Sequence, residues 1–297
     1  MQLQDFLSLG QHVNIDGSKL FVIDIDNSDS IDKKTIVILN GFPAISYDYH
    51  KIILELSNYY RVVIHDHFGF GFSQLPDTYC FSLVEQADIC IKLWTKLNLR
   101  EFTLMGHNFG TKVAQEILFR FNANILPFKI KKVILSQNSK RIDYMNIVNI
   151  HKILKDSDFT KNREDLIEFY NKSLMNNLNQ IEAIKMKNIW QEFNDFHGQK
   201  ELLALSNFLE ETYLYWHRWA KALKASEIPI KIFWRKDDPA IKEVAIMLAS
   251  NQPKNVEFIE NEKCFVIEEE PLEWIKMIMK RTNKTVFDSI RLKYKVI

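Results

Sequence analysis

Apolar positions along this chain fall into two rhythms. Short apolar-rich runs recur: TIVILN (35–40), RVVIHD (61–66), EFTLMG (101–106), KKVILS (131–136), IPIKIFWR (228–235) and VEFIE (256–260). Each predicts a strand, and TIVILN is continuous, as a strand buried on both faces should be. Between them lie stretches with apolar residues at three- and four-residue steps, which predict amphipathic helices. These are SYDYHKIILELSNYY, SLVEQADICIKLWTKLNL, GTKVAQEILFRF, AIKEVAIMLAS and EPLEWIKMIMKR. Near the start, HVNI and LFVIDI flank the turn signal DGSK. Strands alternating with helices predict an α/β fold: a mostly parallel eight-stranded sheet flanked by helices.

The alternation stops between 141 and 224. MNIVNIHKILKD, REDLIEFYNKSL, LNQIEAIKMKNIWQEFNDF and QKELLALSNFLEETYLYWHRWAKALKAS are helical in period and rich in bulky residues. A helical block set between two parts of one sheet predicts a cap over a core. The expected division is a core of 1–140 and 225–281, a cap of 141–224 and a C-terminal extension of 282–297.

Composition narrows the function classes. Hydrophobic residues are 46% and charged residues 26%, and the formal net charge is +1. A balance of this kind suits a soluble globular protein and gives no field to gather nucleic acid or an anionic membrane. No apolar run approaches the roughly 18 residues that span a bilayer. The start, MQLQDFLSLGQHVNIDG, has neither the basic opening nor the apolar centre of a signal peptide. The three cysteines, Cys80, Cys90 and Cys264, are sparse and lack metal-ligand spacing. A cytoplasmic location with no cofactor and no metal is the expectation.

Eight glycines in 297 residues make each one informative. GFGFS lacks the lysine of a phosphate loop and the spacing of a dinucleotide site. Gly106-His107-Asn108-Phe109-Gly110 closes an apolar run and opens a helical one. It reads G-x-N-x-G, one residue type away from the strained strand-to-helix turn G-x-S-x-G that exposes a nucleophile.

ILNGFPAISYDYHKIILELSNYYRVVIHDHFGFGFSQLP resembles the α/β-hydrolase superfamily, where one strand ends in H-G-x-P and the next in D-x-x-G-x-G-x-S. The counterparts are Asn40-Gly41-Phe42-Pro43 and Asp66 to Ser73. GHNFG falls at the nucleophile elbow, WRKDDP at the acid-bearing turn and CFVIEEEP where the family writes H-x-x-x-x-E-x-P. The chain is most similar to the branch of epoxide hydrolases, haloalkane dehalogenases and mesoderm-specific transcript proteins, whose elbow reads G/S-H-D-[WY]-G.

That resemblance implies a covalent mechanism: a carboxylate attacks carbon, a histidine activates water and an acid orients the histidine. Mapped onto this chain, the nucleophile position is Asn108, the base position Cys264 and the acid position Asp238. An amide oxygen carries no full charge, and a thiol is a poor base for water at neutral pH. The acid remains; nucleophile and base do not. The oxyanion donors implied by the resemblance are the backbone N–H groups of Phe42 and Phe109, with Asn40 where relatives carry histidine. His107 is structural in relatives, His65 and His67 read as loop residues or a displaced base, and His217 in WHRW is a candidate ligand contact.

Three functions remain open on this reading. One is a non-hydrolytic protein that binds a small apolar or carbonyl-containing molecule between core and cap. A second is an enzyme with altered chemistry, using Asp238, Cys264 or a cap histidine for proton transfer. The third is a subunit that pairs with a second copy or another protein, for which the C-terminal extension is a candidate arm.

Overall fold

The predicted strands assemble as one sheet in the order β1-β2-β4-β3-β5-β6-β7-β8. The computed structural model describes residues 1–27, 34–41, 45–77, 79, 81–136, 196–235, 256–261 and 271–279. Helix α1 (Leu3–Ser8) precedes β1 (Gly10–Ile15) and β2 (Ser18–Ile25). These two form an antiparallel hairpin whose turn, Asp16-Gly17, has positive φ at both residues. That is the backbone a tight two-residue hairpin needs, and Asp-Gly supplies it. β2 pairs antiparallel with β4, and every pairing from β4 through β8 is parallel.

The remaining elements follow the α/β alternation. They are β3 (Lys34–Leu39), a 3₁₀ turn (Ser46–Tyr49) leading into α2 (His50–Ser57), β4 (Tyr60–His65), α3 (Leu83–Lys96), β5 (Glu101–His107) and α4 (Phe109–Asn122). Then come β6 (Lys129–Ser136), the long helix α5 (Phe196–Ala225), β7 (Ile230–Arg235), β8 (Val256–Asn261) and α6 (Pro271–Met279). Two boundaries differ from the sequence reading. The helix expected over SYDYHKIILELSNYY opens with a 3₁₀ turn and stops at Ser57, and Tyr60 joins β4. MQLQDFLSLG, left unassigned, contains α1, which buries Phe6.

Side-chain alternation along the strands separates two cores. Val37, Leu39, Val63 and Leu104 point to one face, where α3, α4 and the end of α5 cover them through Leu93, Trp94, Val113, Ile117, Trp219 and Leu223. Ile36, Ile38, Val62, Ile64 and Met105 point to the other, under α1, α2 and α6, with Phe6, Ile52, Leu56, Trp274 and Ile275. Burial on both faces explains the continuous apolar runs in the sequence.

The end of α5 is anchored by polar contacts as well. Buried Glu116 on α4 accepts from Arg218 Nη2 (2.5 Å), Trp219 Nε1 (2.8 Å) and Arg120 Nε (3.0 Å). Glu211 accepts from Ser82 Oγ and from Leu83 N–H at the start of α3, each at 2.5 Å. Residues 219–223, which the sequence groups with the helical block, therefore pack into the core layer beside α4. The rest of the block before 196, the predicted helix AIKEVAIMLAS and the extension 282–297 lie outside the described residues.

Candidate functional site

The turn between β5 and α4 places Asn108. Its backbone takes φ 50° and ψ −111°, a region L-residues rarely enter and one Asn tolerates better than most. Asn108 N–H donates to Ser136 O (2.8 Å), and Thr111 N–H donates to Asn108 O (3.0 Å). Thr111 Oγ1 lies 3.0 Å from Gly106 O and 2.8 Å from Ser136 O, which ties the turn to the end of β6. Asn108 is half-buried between buried His107 and Phe109. Its side chain makes no cap bond to the helix it begins.

The flanking glycines are required by space. A Cβ on Gly106 would sit 2.5 Å from Gly110 O, and one on Gly110 would sit 2.3 Å from Leu39 O. Strand end and helix start thus cross with backbone against backbone. Gly41 is confined in the same way: a Cβ there would meet Asn108 Cβ at 3.0 Å and His107 Nδ1 at 3.2 Å.

The loop after β3 is held against this turn by two hydrogen bonds. Gly110 N–H donates to Asn40 O (3.1 Å), and Gly41 N–H donates to Tyr49 Oη (3.2 Å). Burial keeps the Tyr49 phenol protonated, so its hydrogen can go to His107 Nδ1, 2.9 Å away. Burial lowers the His107 pKa to about 4, so its ring is neutral at pH 7, and it packs edge-on against Trp274 at 5.0 Å. Tyr49 is a site residue that the sequence reading missed. It lay within a helical pattern, and only the fold brings its hydroxyl to Gly41. Asn40 is fully buried, with Nδ2 3.4 Å from Gly41 O.

Asp66 organises the next loop. Its carboxylate accepts from Ser46 N–H (2.6 Å), Ser46 Oγ (3.0 Å) and Phe72 N–H (3.0 Å), and Ser73 Oγ donates to Asp66 O (2.6 Å). Burial raises its pKa to about 6 against these bonds. Gly71, at φ +53°, must be glycine for space, since a Cβ there would lie 2.4 Å from Asp66 Oδ2. The D-x-x-G-x-G-x-S motif is thus a structural clasp in this chain.

His65 and His67 are wholly buried and stand behind the elbow. The His67 ring packs on Phe109 (5.2 Å) and Phe70 (6.2 Å). Burial holds the His65 pKa well below its usual range and that of His67 near 4, so both are neutral at pH 7. Lys112, one turn along α4 from Asn108, is half-buried, and burial lowers its pKa to about 8. It carries no motif signal and was not singled out from sequence.

The structure therefore brings Asn108, Phe109 and Asn40 together at one turn. His217 is on α5, exposed, with its ring edge-on to Trp216 at 5.8 Å. Phe42, Asp238 and Cys264 lie outside the described residues.

Residues 34–271 match the family model described as alpha/beta hydrolase fold. The chain is 28% identical over 251 residues to the mesoderm-specific transcript homolog protein of Bos taurus, covering 80% of this chain and 73% of that one. It is 29% identical over 214 residues to the mesoderm-specific transcript protein of Mus musculus, covering 69% and 64%. Among solved structures it is similar to a loop variant of haloalkane dehalogenase DbeA from Bradyrhizobium elkanii, with TM-score 0.66, 17% identity and coverage of 91% and 94%.

Proposed function

Because the chain belongs to the α/β-hydrolase fold family, we propose that it keeps the family's elbow as a binding site and lacks covalent hydrolysis. The observation that carries this reading is Asn108 at φ 50° and ψ −111°, a nucleophile's turn with an amide on it. The backbone energy is spent, yet the side chain has neither a charge nor a useful proton. An amide can donate and accept at once, which suits holding a ligand rather than attacking it.

The ligand is a small, mostly apolar molecule with an electron-rich atom, such as a carbonyl oxygen. Phe109 N–H, in the first turn of α4, and the N–H of Phe42 would face that atom, and the positive end of α4 favours it. The helical block 141–224 would close over it as a cap. By the resemblance, Cys264 would stand at the base position and Asp238 at the acid position, a triad frame without triad chemistry.

A second reading rests on Lys112. An amine with pKa about 8 one turn from the elbow could move protons in an elimination or decarboxylation that needs no ester intermediate. That enzyme would show a pH–rate profile that shifts in Lys112→Met.

Thermal unfolding against a panel of small esters, ketones and haloalkanes tests the binding reading. At least one compound is expected to raise the melting temperature of wild type and to lose that effect in Asn108→Leu. Identical shifts in both proteins would remove the elbow from the binding site.

A further inference from the structure

The region behind Phe109 holds a second constellation. His65 closes β4 and His67 follows two residues later, so extended backbone sends both rings to one side. Cys90 comes from the buried face of α3. One nitrogen of each ring and the Cys90 sulfur lie within 4.8 Å of one another, and all three residues are buried. His65 Nε2 is 3.5 Å from Cys90 Sγ. The ring centroids stand 5.1 Å apart, inclined at 77°.

The tautomer of His67 can be read from its neighbours. Gln86 Nε2 donates to Phe68 O (3.3 Å), which turns Gln86 Oε1 toward the ring. Oε1 only accepts, so His67 Nδ1, 3.2 Å away, carries the hydrogen. The lone pair is then on Nε2, which is buried and makes no hydrogen bond of ordinary geometry, although the Asn40 carbonyl also lies beside the ring. His65 Nδ1 is likewise buried without one. A buried polar atom without a partner is costly, and a cation at this cluster would give His67 Nε2 one. A thiol–imidazole bond between Cys90 and His65 leaves His67 Nε2 without a partner, whereas a cation held by His65 Nε2, His67 Nε2 and Cys90 leaves only His65 Nδ1.

We propose that His65, His67 and Cys90 form a buried site for a zinc-class cation, bound by two imidazoles and one thiolate. The ligand types match what such ions select. The observed N···S distance fits the span of about 3.5 Å between a nitrogen and a sulfur bound to one tetrahedral zinc, given bonds of roughly 2.0 and 2.3 Å. The Gln86 bond to His67 Nδ1 is the outer-shell contact that fixes a ligating imidazole in other metal sites. Burial leaves both imidazoles neutral, the form that binds metal, and pushes the Cys90 thiol up, so the cation displaces its proton. The site would brace His67 against Phe109 and so stiffen the elbow from behind.

Because all three residues are buried, metal should enter as the chain folds. The test is therefore made on full-length protein expressed in zinc- or cobalt-supplemented cells and washed with chelator. Wild type is expected to hold about one metal per chain, and the cobalt form to show thiolate-to-cobalt absorption in the near ultraviolet. Cys90→Ser should lose both at least tenfold, whereas Cys80→Ser and Cys264→Ser keep both. X-ray absorption of wild-type zinc protein gives a check that needs no variant: one sulfur and two or more nitrogen neighbours are expected. Absence of stoichiometric metal in wild type, a first shell without sulfur, or full retention in Cys90→Ser would overturn the proposal.

Discussion

Asn108 shows what a single residue costs and does in this fold. Its φ of 50° places a β-carbon where L-residues are strained, and positions of this kind cost about 1–3 kcal/mol. If Asn108 were present only to tolerate the turn, glycine would serve as well or better. We expect Asn108→Gly to be more stable than Asn108→Ala by about 1 kcal/mol in urea unfolding, since alanine keeps the strained β-carbon and loses the amide. Equal stability of the two would mean the turn relaxes and stores no strain. The same residue marks what was legible in the sequence. G-x-N-x-G gave away the elbow because both glycines are demanded by backbone contacts within five residues of each other. Tyr49 was not legible, because its task depends on Gly41 and His107 meeting it in space.

At the scale of elements, the elbow works because β5 and α4 cross without room for a methyl group. Gly110→Ala should be severely destabilising, by about 3 kcal/mol or more, because its β-carbon would fall 2.3 Å from the Leu39 carbonyl and backbone must move. A melting temperature within a degree or two of wild type would contradict that geometry. The junction of α4 with α5 depends on a charge. Glu116 is buried and accepts from two arginines and Trp219. Glu116→Ala takes the acceptor from Arg218 and Trp219, while Arg120 keeps its ion pair with Asp88, and a loss of about 2–3 kcal/mol is expected. A loss below 1 kcal/mol would show that solvent reaches the junction. The periodicity of the α5 segment was plain from sequence. Its attachment to α4 was not, since one glutamate inside an amphipathic helix reads as surface until its partners are known.

For the whole molecule, buried titratable groups set the response to acid. His65, His67 and His107 have pKa values lowered by burial, the latter two to about 4. Between about pH 6.5 and 4 the unfolded chain binds protons at these positions that the folded chain does not, so stability falls as pH falls. Asp66 acts in the opposite sense. Its folded pKa of about 6 lies above the ordinary 3.8, so in that window the folded chain holds a proton the unfolded chain has lost. Glu211, whose carboxyl burial also raises, acts with Asp66, so among the described residues three groups stand against two and leave a net dependence of roughly 1–2 kcal/mol per pH unit at its steepest. Urea unfolding at intervals from pH 7.5 to 4.5 should show stability rising with pH, and Asp66→Asn should steepen the rise. A flat profile would mean the histidines are charged in the folded state.

The parallel order of the sheet and its two apolar faces were readable from continuous runs and helical spacing, since burial on both sides leaves that mark on composition. The hydrogen bonds that pin Asn40 and Gly41 to the elbow were not readable, because they join the end of β3, the 3₁₀ turn and α4 across the molecule. In the sequence the histidines behind Phe109 read as loop residues or a displaced base, and only the approach of α3 gives them Cys90 as a third member.

The central claim, that the elbow binds without covalent turnover, is tested most directly by the rate of conversion of activated esters, epoxides and haloalkanes. Wild-type protein and Asn108→Ala, purified side by side, should both show no rate above buffer, or the same small residual rate. A wild-type rate that Asn108→Ala abolishes would show that Asn108 takes part in chemistry, and the account would fail.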